Sequence, residues 1–275
     1  MEVELDLRKS ARKNLETFYE EAKWAKGKLA AAQVAAAETE KQIKELESKA
    51  AEERKKPAAG PKRKVKGEWY EKFRWLLTSD GFLVVGGRDA TQNELLFKKH
   101  MSPGDVVLHA DIKGAPLTII KAGGNEVPLD ATKEAAVLAA CYSSAWKTGL
   151  GAVDVYWVKP EQVSKEAKAG EFLGKGGFMI RGTKNWLRKT ELKLAIGVVI
   201  EKQAVKVVAG SSQSLEKSTK LFVLLKPGQL TQAQAAKEVL KRLLAKAPAE
   251  EKVTLSQLAA DDFQKIVPAG GSTVL

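Results

Sequence analysis

Groups that commonly carry chemistry are scarce in this chain: one cysteine and two histidines in 275 residues. The lone thiol, Cys141, cannot build an intrachain disulfide framework, which fits a reducing compartment. His100 and His109 have no ligand companions at useful spacing, so neither a metal nor any other cofactor is expected. Acids are in deficit, with 34 Asp and Glu against 46 Lys and Arg and a formal charge of +12. Such an excess implies an anionic partner, RNA well ahead of a membrane surface. Long apolar runs are missing as well; the longest are strand-sized, far short of the roughly 20 residues that span a bilayer. The opening MEVELDLRKS is acidic and alternating rather than a basic, apolar leader. The expectation is a cytoplasmic protein with no membrane partner.

A hydrophobic fraction of 44% with 29% charged residues describes a chain that folds rather than a disordered one. Residues 1–56 read as a coiled-coil helix. Leu15, Phe18, Ala22, Ala25, Leu29, Ala32, Ala36, Thr39, Ile43 and Leu46 alternate steps of three and four, a narrow seam. Ser10 is placed to cap its start, and Pro57, Gly60 and Pro61 stop it. Alanines in mid-seam bury little area, so the helix needs a partner: a helical protein or a second copy pairing through residues 10–56. The segment RKKPAAGPKRKVK holds seven Lys and Arg and no acid. Residues 57–67 therefore read as a basic linker, with Lys62, Arg63, Lys64 and Lys66 as phosphate contacts.

Residues 68–275 read as one α+β domain: a mixed, mostly antiparallel sheet with packed helices. Strands are predicted at 82–86, 106–110, 117–121, 153–158, 178–181, 194–200, 204–209 and 221–225, with a hairpin turn at Lys202–Gln203. Helices are predicted at 91–100, 131–146 and 231–246, with a shorter one near 256–266. The 131–146 helix is apolar on most sides and should lie buried on the sheet.

Three constellations invite a functional reading. In WYEKFRW, rings and cations interleave (Trp69, Tyr70, Lys72, Phe73, Arg74, Trp75), a pattern that suits a nucleic-acid surface. In GEFLGKGGFMIRGTKNW, Gly170-x-x-x-Gly174-Lys175 is one residue short of a phosphate loop, and Gly176 stands where Ser or Thr should hold magnesium. It reads better as a glycine turn that displays Arg181, Lys184, Arg188 and Lys189 around the stacking face of Trp186. The acids Asp80, Asp89, Glu94, Asp105 and Asp111 read as turn and cap chemistry, with Thr91-x-x-Glu94 at capping-box spacing and Arg88 paired locally to Asp89. His109 reads as a hydrogen-bonded strand-end residue before it reads as a catalyst. His100 follows Lys98 and Lys99 and is expected to favour a negative helix terminus. Cys141 sits in an apolar helix, and nothing marks its thiol as activated.

The blocks WYEKFRW, SDGFLVVGGRDATQNELL, HADIKGAP, AACYSSAW, VYWVKPEQVSK and GEFLGKGGFMIRGTKNWL run in order from Trp69 to Leu187, and DDFQKIVPAGG follows near the end. This stretch resembles the RNA-binding (NFACT-R) domain of the ribosome quality-control family that includes NEMF and RqcH. The resemblance implies a non-enzymatic RNA-binding protein, with rRNA of the large ribosomal subunit and tRNA at stalled ribosomes as partners. Full members begin with a large N-terminal domain, and the expectation is that this chain lacks it and does not make tails alone. Candidate RNA-binding residues in the folded part are Arg74, Arg88, Lys98, Lys99, His109, Lys113, Lys175, Arg181, Lys184, Trp186 and Arg188. The alternative is a coiled-coil scaffold whose basic domain docks an acidic protein.

Overall fold

A computed structural model describes residues 6, 8–54, 68–166, 173–201 and 204–275. The chain divides into two compact units, Met1–Lys64 and Val65–Leu275. The predicted linker cations Lys62, Arg63, Lys64 and Lys66 lie outside the described residues, as do Gly170 and the turn at Lys202–Gln203.

The first unit is built on α1 (Ala11–Arg54), 44 residues long and so about 66 Å at the usual rise per residue. Its start is held by Asn14, whose amide donates to Asp6 O at 3.0 Å and accepts from Asp6 N at 3.1 Å. Ser10 Oγ stands 3.4 Å from Lys13 N, a weak cap at best. The seam residues Leu15, Leu29 and Ile43 are exposed, as are the alanines between them.

In the second unit the elements run in this order. β1 (Arg74–Leu77), β2 (Leu83–Gly86), α2 (Ala90–Leu95) and a π-helical turn (Leu96–His100) lead to β3 (Val106–Ala110) and β4 (Thr118–Lys121). Then come α3 (Leu129–Cys141), α4 (Ser144–Lys147), β5 (Ala152–Val158), β6 (Val163–Ser164), β7 (Met179–Ile180) and β8 (Asn185–Glu191). β9 (Leu194–Glu201), β10 (Ala204–Gly210), α5 (Ser212–Ser218), β11 (Phe222–Leu230), α6 (Gln232–Lys246), α7 (Ala249–Leu255), α8 (Ala260–Gln264) and β12 (Ser272–Val274) complete it.

A six-stranded sheet has the order β1-β2-β4-β3-β5-β8, a four-stranded one β10-β9-β11-β12, and β6 pairs with β7. Every pairing among the described residues is antiparallel, in an α+β fold where a mixed, mostly antiparallel sheet was expected. Alternation along the central strands buries both faces of the larger sheet. Val84, Leu108, Ile120 and Val155 join α3 and the smaller sheet in the main core. Val85, Val107, Ile119 and Tyr156 point the other way, into a second cluster with Phe73, Leu96 and Leu117. Such two-sided burial explains why these strands read as near-continuous apolar runs.

Several elements depart from the expectation. The 131–146 helix is buried but breaks at Tyr142–Ser143, where the Ser143 side chain accepts from Ala145 N and starts α4. The helix predicted near 256–266 is only the short α8, and a further short helix that was not predicted, α7, ends just before it at Leu255. The WYEKFRW rings are mostly internal. Phe73 is fully buried, and Tyr70 and Trp75 pack against the second cluster. The turn after β1 is held from below by Glu134 of α3, whose buried carboxylate accepts from Ser79 N at 2.8 Å.

Candidate nucleic-acid interface

At the end of the large sheet, where β2 and β3 stop and β4 begins, a cavity of about 410 Å³ opens to solvent. Its cations come from three places: Arg74 on β1, Arg88 after β2, and Lys175 in the loop before β7. Gly87 makes the approach possible. A Cβ there would lie 2.0 Å from Asn93 Oδ1, the atom that accepts from Leu117 N at 3.2 Å and ties α2 to β4.

Arg74 is the most constrained of the three. Its Nη1 donates to Gly87 O at 2.7 Å and its guanidinium lies 4.4 Å over the Tyr142 ring. Burial, with Arg88 also nearby, lowers its pKa, and its buried Nε has no acceptor among the described residues. Arg88 is exposed. Its Nη2 donates to Phe73 O at 3.2 Å, so the expected local pair with Asp89 is not made. Asp89 instead caps α2, accepting from Gln92 N at 2.8 Å. That displaces the predicted capping box at Thr91 and Glu94.

Glu94 has a different task. Its Oε1 takes Lys165 Nζ at 2.8 Å and Gly176 N at 3.2 Å, while Oε2 stands 3.7 Å from Lys98. The Lys165 and Gly176 hydrogen bonds lower its pKa to about 2, so it is a fixed anion that clamps the glycine loop onto α2. Gly176 has φ +78° and lies against Ala90, where a Cβ would come within 2.7 Å of Ala90 Cα. Lys175, one residue away, is exposed and has no acidic partner among the described residues.

His109 lines the same cavity. Burial, ahead of Lys184 nearby, lowers its pKa and keeps the ring neutral at pH 7. It stands opposite Tyr156 in the β3–β5 register. His100 is also shifted down, first by burial and then by Lys72 and other lysines. It stacks on Trp69 at 4.2 Å with planes 8° apart, so it is a neutral stacking partner rather than a cation at a helix end.

The second predicted group lies on β8, an edge strand that the sequence did not announce, and in the turn before it, which holds Arg181 and Lys184. Arg188 reaches Asp154 at 2.7 Å, Lys184 lies 3.9 Å from Asp111, and Arg181 lies 3.2 Å from Glu166. Trp186 is 37% exposed, but the Arg188 guanidinium covers it at 4.0 Å. These cations are already partnered, and the ring already has a cation on one face. Lys99 and Lys113 are exposed and make no ion pair among the described residues. Sequence reasoning missed Tyr142, Asn93 and Gly176, which shape the cavity, because they meet Arg74, Gly87 and Ala90 only in three dimensions.

No group of three or more potential metal ligands occurs among the described residues, and no helix there is long and apolar enough to cross a membrane. Cys141 is sealed in the core, and burial pushes its thiol well up from its ordinary value.

Residues 72–182, which contain the whole cavity lining, match the family model of the NFACT protein RNA binding domain. The archaeal Rqc2 homolog aRqcH of Methanocaldococcus jannaschii is 40% identical over 216 residues, 78% of this chain and 31% of that protein. The ribosome quality control complex subunit NEMF homolog of Drosophila melanogaster is 44% identical over 134 residues, 48% of this chain and 13% of its own. The C-terminal part of the fibronectin/fibrinogen-binding protein from Streptococcus suis is a solved structure with a TM-score of 0.37 and 26% identity, covering 48% of this chain and 50% of that one. These matches support an NFACT-R protein of the RqcH/NEMF family. The chain spans less than a third of the length of the archaeal relative.

Proposed function

We propose that this chain binds RNA in ribosome-associated quality control, contacting rRNA of the large ribosomal subunit, tRNA, or both at stalled ribosomes. One observation carries the reading: Arg88 and Lys175 stand on an open cavity without acidic partners among the described residues, inside the segment that matches an RNA-binding family. Cations not already neutralised are the ones that release counterions when phosphates arrive. The role is grip and positioning in the cytoplasm rather than bond chemistry, since cations around an open cavity suit phosphate contacts and the one thiol is buried. The exposed seam of α1 fits pairing with a helical protein or a second copy.

Sedimentation of the tagged chain with ribosomal subunits, before and after nuclease, tests this. The chain should travel with the large subunit, lose that association on nuclease treatment, and bind RNA with an affinity that falls steeply between about 50 and 200 mM salt. Association that survives nuclease and ignores salt would replace RNA with an acidic protein partner.

A further inference from the structure

A second cavity of about 170 Å³ meets the first at His109, Gly176 and Gly177. Its character is opposite. Apart from those three shared residues it is lined by Leu108 of the main core and by side chains of the second apolar cluster, among them Leu117, Tyr156, Phe178 and Ile180. The polar chamber carries Arg74, Arg88 and Lys175, with Asp89 as its acid, the Asp89 carboxylate being held by Gln92 N. A site with cations at one end, an apolar, ring-lined slot at the other and an imidazole between them suits a molecule with an anionic head and an aromatic tail. Phosphate contacts alone need no slot, and an apolar ligand needs no cations.

We propose that the two chambers together hold one unpaired nucleotide of the bound RNA. Its phosphate lies against Arg88 and Lys175, and its base enters the slot beside Phe178 and Tyr156. His109, whose ring is already hydrogen-bonded to the Ala110 and Ala115 backbone, adds its imidazole to the wall between the two chambers without adding charge. Unpaired bases are the ones available, because extruding a paired base costs a few kcal/mol whereas a bulge or loop base is already free. The polar chamber falls within the roughly 300–1,000 Å³ usual for small-ligand sites. Phe178 is fixed for the purpose: it packs on Phe97 at 5.1 Å and carries Lys165 at 4.9 Å, the same lysine that Glu94 holds. The Glu94 clamp thus sets the cationic loop and the ring of the slot together. This inference rests on the RNA-binding reading above and adds to it a preference for RNA structure.

The test uses the full chain and two short RNA hairpins at one salt concentration. One hairpin carries a single bulged 2-aminopurine; in the other that position is paired. The bulged hairpin should bind at least about tenfold tighter, as expected for a base stacked on a ring, with a change in fluorescence. His109→Ala and, separately, Phe178→Ala should bring the bulged hairpin down to the level of the paired one. Lys175→Glu should weaken the bulged hairpin and flatten its salt dependence. Equal affinity of the unmodified protein for both hairpins would overturn the nucleotide site while leaving RNA binding intact. A free nucleoside monophosphate that binds as tightly as the bulged hairpin would also overturn it, by assigning the chambers to a small molecule. Failure to bind either hairpin at any salt would instead remove the RNA-binding reading itself.

Discussion

Gly176→Ala separates the shape of the loop from the stability of the fold. The residue has φ +78°, where a side chain costs about 1–2 kcal/mol. The added Cβ would also stand 2.7 Å from both Ala90 Cα and Ala90 Cβ, and 3.1 Å from Ala90 O. Overpacking of that kind costs roughly 1–3 kcal/mol when the neighbours cannot move. Held in place, the loop would therefore impose about 2–5 kcal/mol, which for a domain of this size is a fall of roughly 4–20 °C in the thermal midpoint.

The loop need not stay in place. It is tied to the body by the Gly176 amide on Glu94, by Lys165 on the same carboxylate, and by the Phe178 ring on Phe97. None of these runs through the main core, so lifting the loop relieves the strain at the expense of local contacts only. The expected result is a midpoint that falls by no more than about 4 °C. At the same time the Gly176 and Gly177 amides, bonded to Glu94 Oε1 and Gly174 O, should lose protection against hydrogen exchange. RNA affinity should fall with them, because the glycines form the wall shared by both chambers. Unchanged exchange at both amides together with unchanged affinity would refute the reasoning. A large fall in midpoint would show that the loop is part of the cooperative fold.

Two further perturbations report on groups away from the chambers or behind them. Lys121→Met removes the cation that reaches buried Asp105, His100 O and Ser102 Oγ, leaving a carboxylate with only the Ser102 and Ala122 amides. Breaking a buried pair costs about 3–5 kcal/mol, and Lys121 is part-exposed, so denaturant unfolding should show about 3 kcal/mol lost. Glu94→Gln tests the clamp by pH. The folded pKa of Glu94 is lowered from 4.5 to about 2, so its contribution is present above about 4.5 and disappears as pH falls towards 2. The midpoint of the native protein should fall more than that of Glu94→Gln across this window, bringing the two together, while near pH 7 the variant is the less stable. Parallel curves would exclude Glu94 as the clamp.

The strands that carry the cavity were legible because both faces of their sheet are buried. Val106–Ala110 is apolar apart from His109 and is ended by turn signals, and β3 has those bounds. β8 was not legible for the opposite reason. NWLRKTE is mostly exposed, pairs along one edge across a bulge opposite Val153 and Val155, and includes Lys189 at φ 53°. The cations on it and just before it looked like free phosphate ligands because the acids that hold them lie 15 to 73 positions away in sequence: Glu166, Asp154 and Asp111. The same separation hid Glu94, whose partners Lys165 and Gly176 are 71 and 82 positions distant, so that its nearest sequence explanation was a cap. The interleaved rings of WYEKFRW misled in another way. Alternation that could display aromatics to a ligand also buries them, and Phe73 shows that burial won.

Where the surplus charge sits matters more for an RNA surface than its size. A formal +12 spread over paired cations would release few counterions, since each phosphate would have to displace a carboxylate first. On β8 that competition is built in: Arg188 lies on Asp154 and Trp186 lies beneath Arg188, so RNA would have to undo an ion pair and a ring contact to use either. At the polar chamber no such exchange is needed. Arg88 is braced by a carbonyl, which orients its guanidinium without neutralising it, and Lys175 has no acidic partner among the described residues, Glu94 being taken up by Lys165 and the Gly176 amide. Arg74 beneath them is spent on Gly87 and Tyr142, yet its charge still adds to the field in a partly desolvated site, where screening is weakest. The glycines therefore serve electrostatics as much as geometry. By letting α2, β2 and the Lys175 loop close on one another, they bring three cations from distant parts of the chain around one cavity while their acidic neighbours are occupied in holding the backbone.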